Sequence, residues 1–157
     1  MKKFYYLLAL LPLSLFISCS NDDNFSPTNV TITLNGVSLL DNTFYTVAGE
    51  DITIESLDAK AIDGKTTQLG GLTFYLNGVP MIGNPGDWFD GTFSTENLPA
   101  GNYTLDVTGN LLQVDSPIIG FALSYPLKIV ENIEDLPSGA PEIGTYSQTI
   151  RFSKGGE

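Results

Sequence analysis

From residue 29 to residue 130 the chain alternates apolar and polar side chains with a period of two, and that rhythm restricts its fold more than any other feature. Val30, Ile32 and Leu34 interleave with Thr31, Thr33 and Asn35, and Asn35-Gly36 reads as a turn. Phe44-Tyr45-Thr46-Val47 is a second run, closed by Ala48-Gly49. Ile52, Ile54 and Leu57 make a third, ending at Asp63-Gly64-Lys65. Leu72, Phe74 and Leu76 face one way and Thr73 and Tyr75 the other, before the hairpin signal Asn77-Gly78, a pair that tolerates positive φ. After an Asn84–Asp87 loop, Trp88, Phe89, Thr92 and Phe93 begin or flank another strand. Leu98-Pro99-Ala100-Gly101 turns into Tyr103, Leu105 and Val107, alternating with Thr104 and Asp106. Residues 109–117 read as a connection. Phe121 and Leu123 open a strand region that resumes after Pro126 with Leu127 and Ile129. Helical periodicity is absent beyond the N-terminal apolar run, and 16 Gly with 9 Pro suit many short strands and tight turns. The expectation is an all-β fold, a β-sandwich of about seven strands.

Residues 131–144 carry Pro137, Gly139, Pro141 and Gly144 and read as a loop. Alternation then returns over 145–153, with Tyr146, Ile150 and Phe152 on one face. Gln148 on that same face suits an edge position better than a central one. An extra C-terminal edge strand, pairing with residues 29–34, is the expectation for 131–157; a disordered tail is the alternative.

The N-terminus fixes an address. Lys2 and Lys3 precede an apolar run from Phe4 to Ile17, and Ser18 stands before the chain's single cysteine, Cys19. This is a secretion signal. The run is short of the roughly 20 residues a spanning helix needs, and Pro12 interrupts it. Phe16-Ile17-Ser18 is a poor A-x-A cleavage site. The segment resembles a bacterial lipoprotein signal, although Phe16 stands where Leu is usual; the resemblance implies that Cys19 is acylated and becomes the new N-terminus. Several acyl chains on one residue hold a protein firmly to its membrane. Ser20-Asn21-Asp22-Asp23-Asn24 resembles the export signal of Bacteroidetes-type outer-membrane lipoproteins displayed on the cell surface; a solvated acidic linker is the plainer reading. The implied order is signal 1–18, flexible tether 19–28 and globular domain 29–130.

Composition narrows the chemistry. Removal of residues 1–18 takes two lysines and no acid, leaving five basic against 18 acidic residues and a formal charge of −13. Phosphates repel such a chain, so nucleic acid is excluded as a partner. With no His and one committed Cys, imidazole acid–base work, Ser–His or Cys–His pairs and nearly all zinc and iron chemistry drop out. No phosphate-binding glycine fingerprint occurs. The expectation is a protein without enzymatic activity, cofactor or metal, held by its core without an internal disulfide.

Two segments carry a second resemblance. GLTFYLNGVP, from Gly71 to Pro80, and LPAGNYTLDV, from Leu98 to Val107, are similar to parts of bacterial immunoglobulin-like domains, and PLKIV from Pro126 to Val130 is similar to their final strand. The resemblance implies an immunoglobulin-like sandwich and makes Tyr103 the analogue of the tyrosine corner, its hydroxyl bonded to nearby backbone. A half-buried strand aromatic is the plainer reading of Tyr103. Such domains serve as spacers, adhesin modules and carbohydrate-binding accessories, but only one domain fits here.

The remaining candidate site is Asp87-Trp88-Phe89-Asp90-Gly91. Trp88 could stack on a sugar ring while Asp87 and Asp90 accept hydroxyl hydrogen bonds; a lone Trp in such a fold more often plugs the core. Asp87 and Asp90 lack calcium-loop spacing. Asp58 and Asp63 read as loop residues and Asp106 as outward-facing, which leaves a carboxylate-based glycosidase a distant alternative. The functional expectation is a non-enzymatic, lipid-anchored surface binding or scaffold module contacting a protein or glycan. The alternative is a glycan-binding accessory of an outer-membrane uptake system.

Overall fold

The computed structural model describes residues 24–81 and 91–155, and in it the alternation becomes nine strands. They are β1 (Thr28–Leu40), β2 (Thr43–Val47), β3 (Asp51–Ala61), β4 (Thr67–Leu76), β5 (Val79–Met81), β6 (Thr92–Ser94), β7 (Gly101–Gln113), β8 (Ile119–Val130) and β9 (Gly144–Phe152). A 3-10 turn at Ile133–Asp135 is the one helical element among the described residues. The fold is all-β. It runs β5-β4-β7-β8-β2-β1-β3-β6, with β9 on the other side of β1. All pairings are antiparallel except β2 with β8.

The sheet curls because β1 belongs to both of its halves. Residues 28–35 of β1 pair with β3 and, on the other side, with β9, whereas Ser38–Leu40 pair with β2. The crossing point is Asn35-Gly36, expected as a turn but in fact a bulge inside a continuous 13-residue strand. Gly36 has φ +86, and a Cβ there would lie 2.2 Å from the Asp51 carbonyl oxygen. Only glycine fits, and the extra residue bends the strand so that it can change layers. The hairpin turn that the sequence reading missed is Asp41-Asn42, both at positive φ, joining Leu40 to its partner Thr43. Asx residues favour that left-handed region, the requirement of a two-residue primed turn.

Between the two layers lies one core. Val30, Ile32, Leu34 and Ile52 from the β1–β3 layer meet Leu105, Val107, Leu111, Leu123, Tyr125 and Leu127 from the β7–β8 layer, with Phe44 and Val37 closing the bend. Residues 109–117, expected as a connection, mostly continue β7, with Leu111 fully buried. Pro126 does not interrupt β8. Thr104 opposite it turns its N–H and C=O toward Asn77, so the proline nitrogen faces the β2 side, where pairing begins only at Leu127. No ladder bond is lost there. Leu72 is exposed rather than inward, because the register slips between Gly70 and Thr73. Asp58 lies in β3 opposite Thr31, not in a loop.

The C-terminal segment is the ninth strand. β9 pairs along its whole length with β1, from Thr28 opposite Phe152 to Val37 opposite Gly144. Gln148 faces inward opposite Ile32, and its Oε1 is buried with no hydrogen-bond partner among the described residues. Burying an unpaired carbonyl of this kind costs about 1–3 kcal/mol, which the flanking Tyr146, Ile150 and Phe152 offset by packing on the core. Residues 24–28, expected in the tether, are instead part of the packed domain. The Ser26 amide donates to Gln113 Oε1 at 2.9 Å, Thr28 is fully buried, and Phe25 meets Phe152 edge-on at 5.9 Å.

Candidate functional site

β3 and β7 begin at the same end of the sandwich at which β4 finishes, and an apolar cavity of about 340 Å³ opens there. One wall is the β4–β5 hairpin. Its turn is Asn77-Gly78, at φ +47 and +77, and it contributes Leu76, Val79, Pro80 and Met81. The hairpin is pinned to β7: the Asn77 amide donates to the Thr104 carbonyl at 2.9 Å, and Asn77 Oδ1 accepts from the Thr104 amide at 2.7 Å.

The second wall comes from the other layer and holds Phe93 and Ser94 of β6. β6 is seated on β3 by the pairs Asp51–Ser94, Ile52–Phe93 and Thr53–Thr92. Gly91 makes that approach feasible: φ is +79, the Ile54 amide donates to its carbonyl at 2.7 Å, and a Cβ would come within 2.6 Å of the Ile54 carbonyl. Just after β6, buried Thr95 donates its hydroxyl to the Glu50 carbonyl at 2.7 Å and accepts from the Gly49 amide at 3.0 Å. A short turn, the Leu98 amide to the Thr95 carbonyl at 2.9 Å, then brings Leu98 to the cavity.

Tyr103 completes the lining. Its hydroxyl donates to the Pro99 carbonyl at 2.7 Å, four residues upstream, which fixes the chain leading into β7 while the ring stays against the cavity. Of the sequence-derived site residues, Tyr103 alone can be placed; Cys19, Asp87, Trp88 and Asp90 lie outside the described residues. Sequence reasoning missed Leu76, Met81, Phe93 and Leu98 as a group, because their convergence depends on the pairing of β6 with β3 and not on spacing along the chain.

The described lining offers apolar surface, the amide of Asn77 and the hydroxyls of Ser94 and Tyr103, and no carboxylate or amine. Such a cavity is suited to holding an apolar group by desolvation, with a few polar atoms to orient it. Among the described residues no group of three metal-ligating side chains occurs, and no helix is long and apolar enough to cross a membrane. The chain matches no protein-family model and none of the curated proteins with which it was compared.

Proposed function

We propose that this protein is a non-enzymatic, lipid-anchored surface module whose cavity at the Tyr103 end receives an apolar side chain of a protein partner. The observation that carries the reading is the cavity itself: apolar, about 340 Å³, with both walls pinned by backbone hydrogen bonds, at the opposite end of the sandwich from Asn24. Walls pinned before binding spare the partner part of the ordering cost, and a single buried apolar anchor commonly carries much of an interface's affinity. The anchor rests on the resemblance of residues 1–19 to a lipoprotein signal, and the same resemblance makes the outer membrane, facing outward, the proposed location. An immunoglobulin-like assignment of the sandwich is supported by the opposed β4–β7–β8 and β1–β3–β6 layers, the parallel β2–β8 pair and the Tyr103 hydroxyl bond near the start of β7.

A photoreactive residue replacing Val79, which is exposed on the cavity rim, tests the reading in living cells. The expected result is one discrete protein adduct, lost when Ser94→Trp fills the cavity. Absence of any adduct, together with glycan binding that survives Ser94→Trp, would transfer the function to the glycan-accessory class.

A further inference from the structure

The end of the sandwich opposite the cavity is where the chain enters the domain. Asn24 accepts a hydrogen bond from Lys65 Nζ on its carbonyl, and the Ser26 hydroxyl donates to Asp63. The Pro27 carbonyl accepts from the Ile62 amide at 3.0 Å, and Gln113 Nε2 donates to the Ser26 carbonyl at 3.0 Å and to Thr28 Oγ1 at 2.8 Å. These bonds gather the β3–β4 turn, the β7–β8 turn and residues 24–28 into one end. Both turns carry apolar tips. Ile62 is 51% exposed, Val114 59% and Ile118 65%, three of the seven large exposed hydrophobics among the described residues.

Only Ser20, Asn21, Asp22 and Asp23 separate Cys19 from Asn24. Five residue steps reach at most about 18 Å fully extended, so an acylated Cys19 keeps this end, and no other, next to the lipid headgroups. We infer that this end of the domain seats on the bilayer that holds the acyl chains, with Ile62, Val114 and Ile118 entering the interfacial layer. The inference rests on acylation of Cys19. Branched apolar side chains gain free energy on leaving water for that layer. Charge at this end is mixed: Asp63 and Asp115 flank the tips, while Lys65 bonds the Asn24 carbonyl and Lys154 lies beside Phe25 and Pro27, so apolar contact and not headgroup charge drives the seating. The consequence is orientation, with the cavity facing away from the membrane.

The test uses the mature protein, acylated at Cys19, in vesicles of zwitterionic phospholipid carrying a depth-resolved quencher. With Cys19 acylated, a cysteine introduced by Val114→Cys or Val79→Cys is the only free thiol and takes a fluorophore alone. The expected result is loss of fluorescence at position 114 and none at position 79. The combined Ile62→Ser and Ile118→Ser variant, altering exposed tips only, should keep the melting temperature and lose the quenching at 114. Co-flotation with vesicles but equal fluorescence at both positions overturns the seating while leaving the anchor intact. Failure to co-float overturns the anchor, and the seating with it. Shielding of position 114 in whole envelopes but not in pure lipid assigns the tips to an envelope protein and overturns the proposal.

Discussion

Tyr103 and Tyr146 each donate a hydroxyl hydrogen bond, at 2.7 Å, to the carbonyl four residues upstream, Pro99 and Glu142 respectively. Each ties down the loop that leads into its strand, β7 or β9. Tyr103→Phe keeps the ring and removes the bond, so stability should fall by about 1 kcal/mol; an unchanged denaturation midpoint would show that the bond contributes nothing. Tyr103 was legible in advance because Leu98-Pro99-Ala100-Gly101 precedes it in a recognisable pattern. Tyr146 was not, although Pro141 and Gly144 stand in a similar relation to it, because a loop of that composition has no fixed geometry until Ser38 donates its hydroxyl to the Pro141 carbonyl at 2.7 Å. A third tyrosine gives a pH signature. Tyr125 is fully buried, and burial pushes its phenol up to about 12, against an ordinary 10. The folded state therefore favours the protonated phenol. Its contribution is complete below pH 10 and is lost as the pH rises from 10 toward 12, by roughly 2–3 kcal/mol in all. Melting temperature followed across that window should drop steeply in the wild type and less in Tyr125→Phe.

At the level of the strand, alternation located most of the elements but not how far they run. Val30, Ile32 and Leu34 mark β1 by period alone, yet the strand continues through Asn35-Gly36, a pair that normally ends one. What decides between turn and bulge is the neighbour: β9 pairs on both sides of Gly36, and Thr46 donates its hydroxyl to the Gly36 carbonyl at 2.8 Å. Neither contact is local in sequence. The same holds for residues 109–113, where glycine and asparagine suggest a loop, and pairing with β8 as far as Leu111 and with β4 as far as Gln113 imposes a strand. Gly36→Ala tests the bulge. The new Cβ would have to displace the Asp51 carbonyl and adopt a left-handed backbone, so a loss of about 2–5 kcal/mol is expected. The measurement is the urea midpoint at constant slope. A loss no larger than that of an exposed strand glycine such as Gly120, whose Cβ would have nothing nearer than 3.9 Å, would mean that β1 can cross layers without this geometry.

On the scale of the whole molecule, the 13-residue β7 sets the long dimension, since strands rise about 3.3 Å per residue and so span roughly 40 Å here. The chain enters at one end of that length and the cavity lies at the other, so the proposed anchor and the proposed binding surface would act independently. Residues 24–28 strengthen that division. By packing against Gln113 and Phe152 they bring the start of the packed domain to within five residues of Cys19 in the sequence. The core needs nothing from Cys19, because no second cysteine exists for it to pair with. Cys19→Ala should therefore leave the melting temperature unchanged and move the protein from the membrane fraction to the soluble one, with loss of metabolic acyl labelling. Two or more acyl chains hold a protein firmly, whereas three apolar tips on an otherwise acidic domain give at most reversible contact, so release should be near complete. Retention with labelling intact would place the acyl chains on some other residue; retention without labelling would mean that the domain binds through a protein if the N-terminus has been cleaved, and through the apolar run of residues 4–17 if it has not.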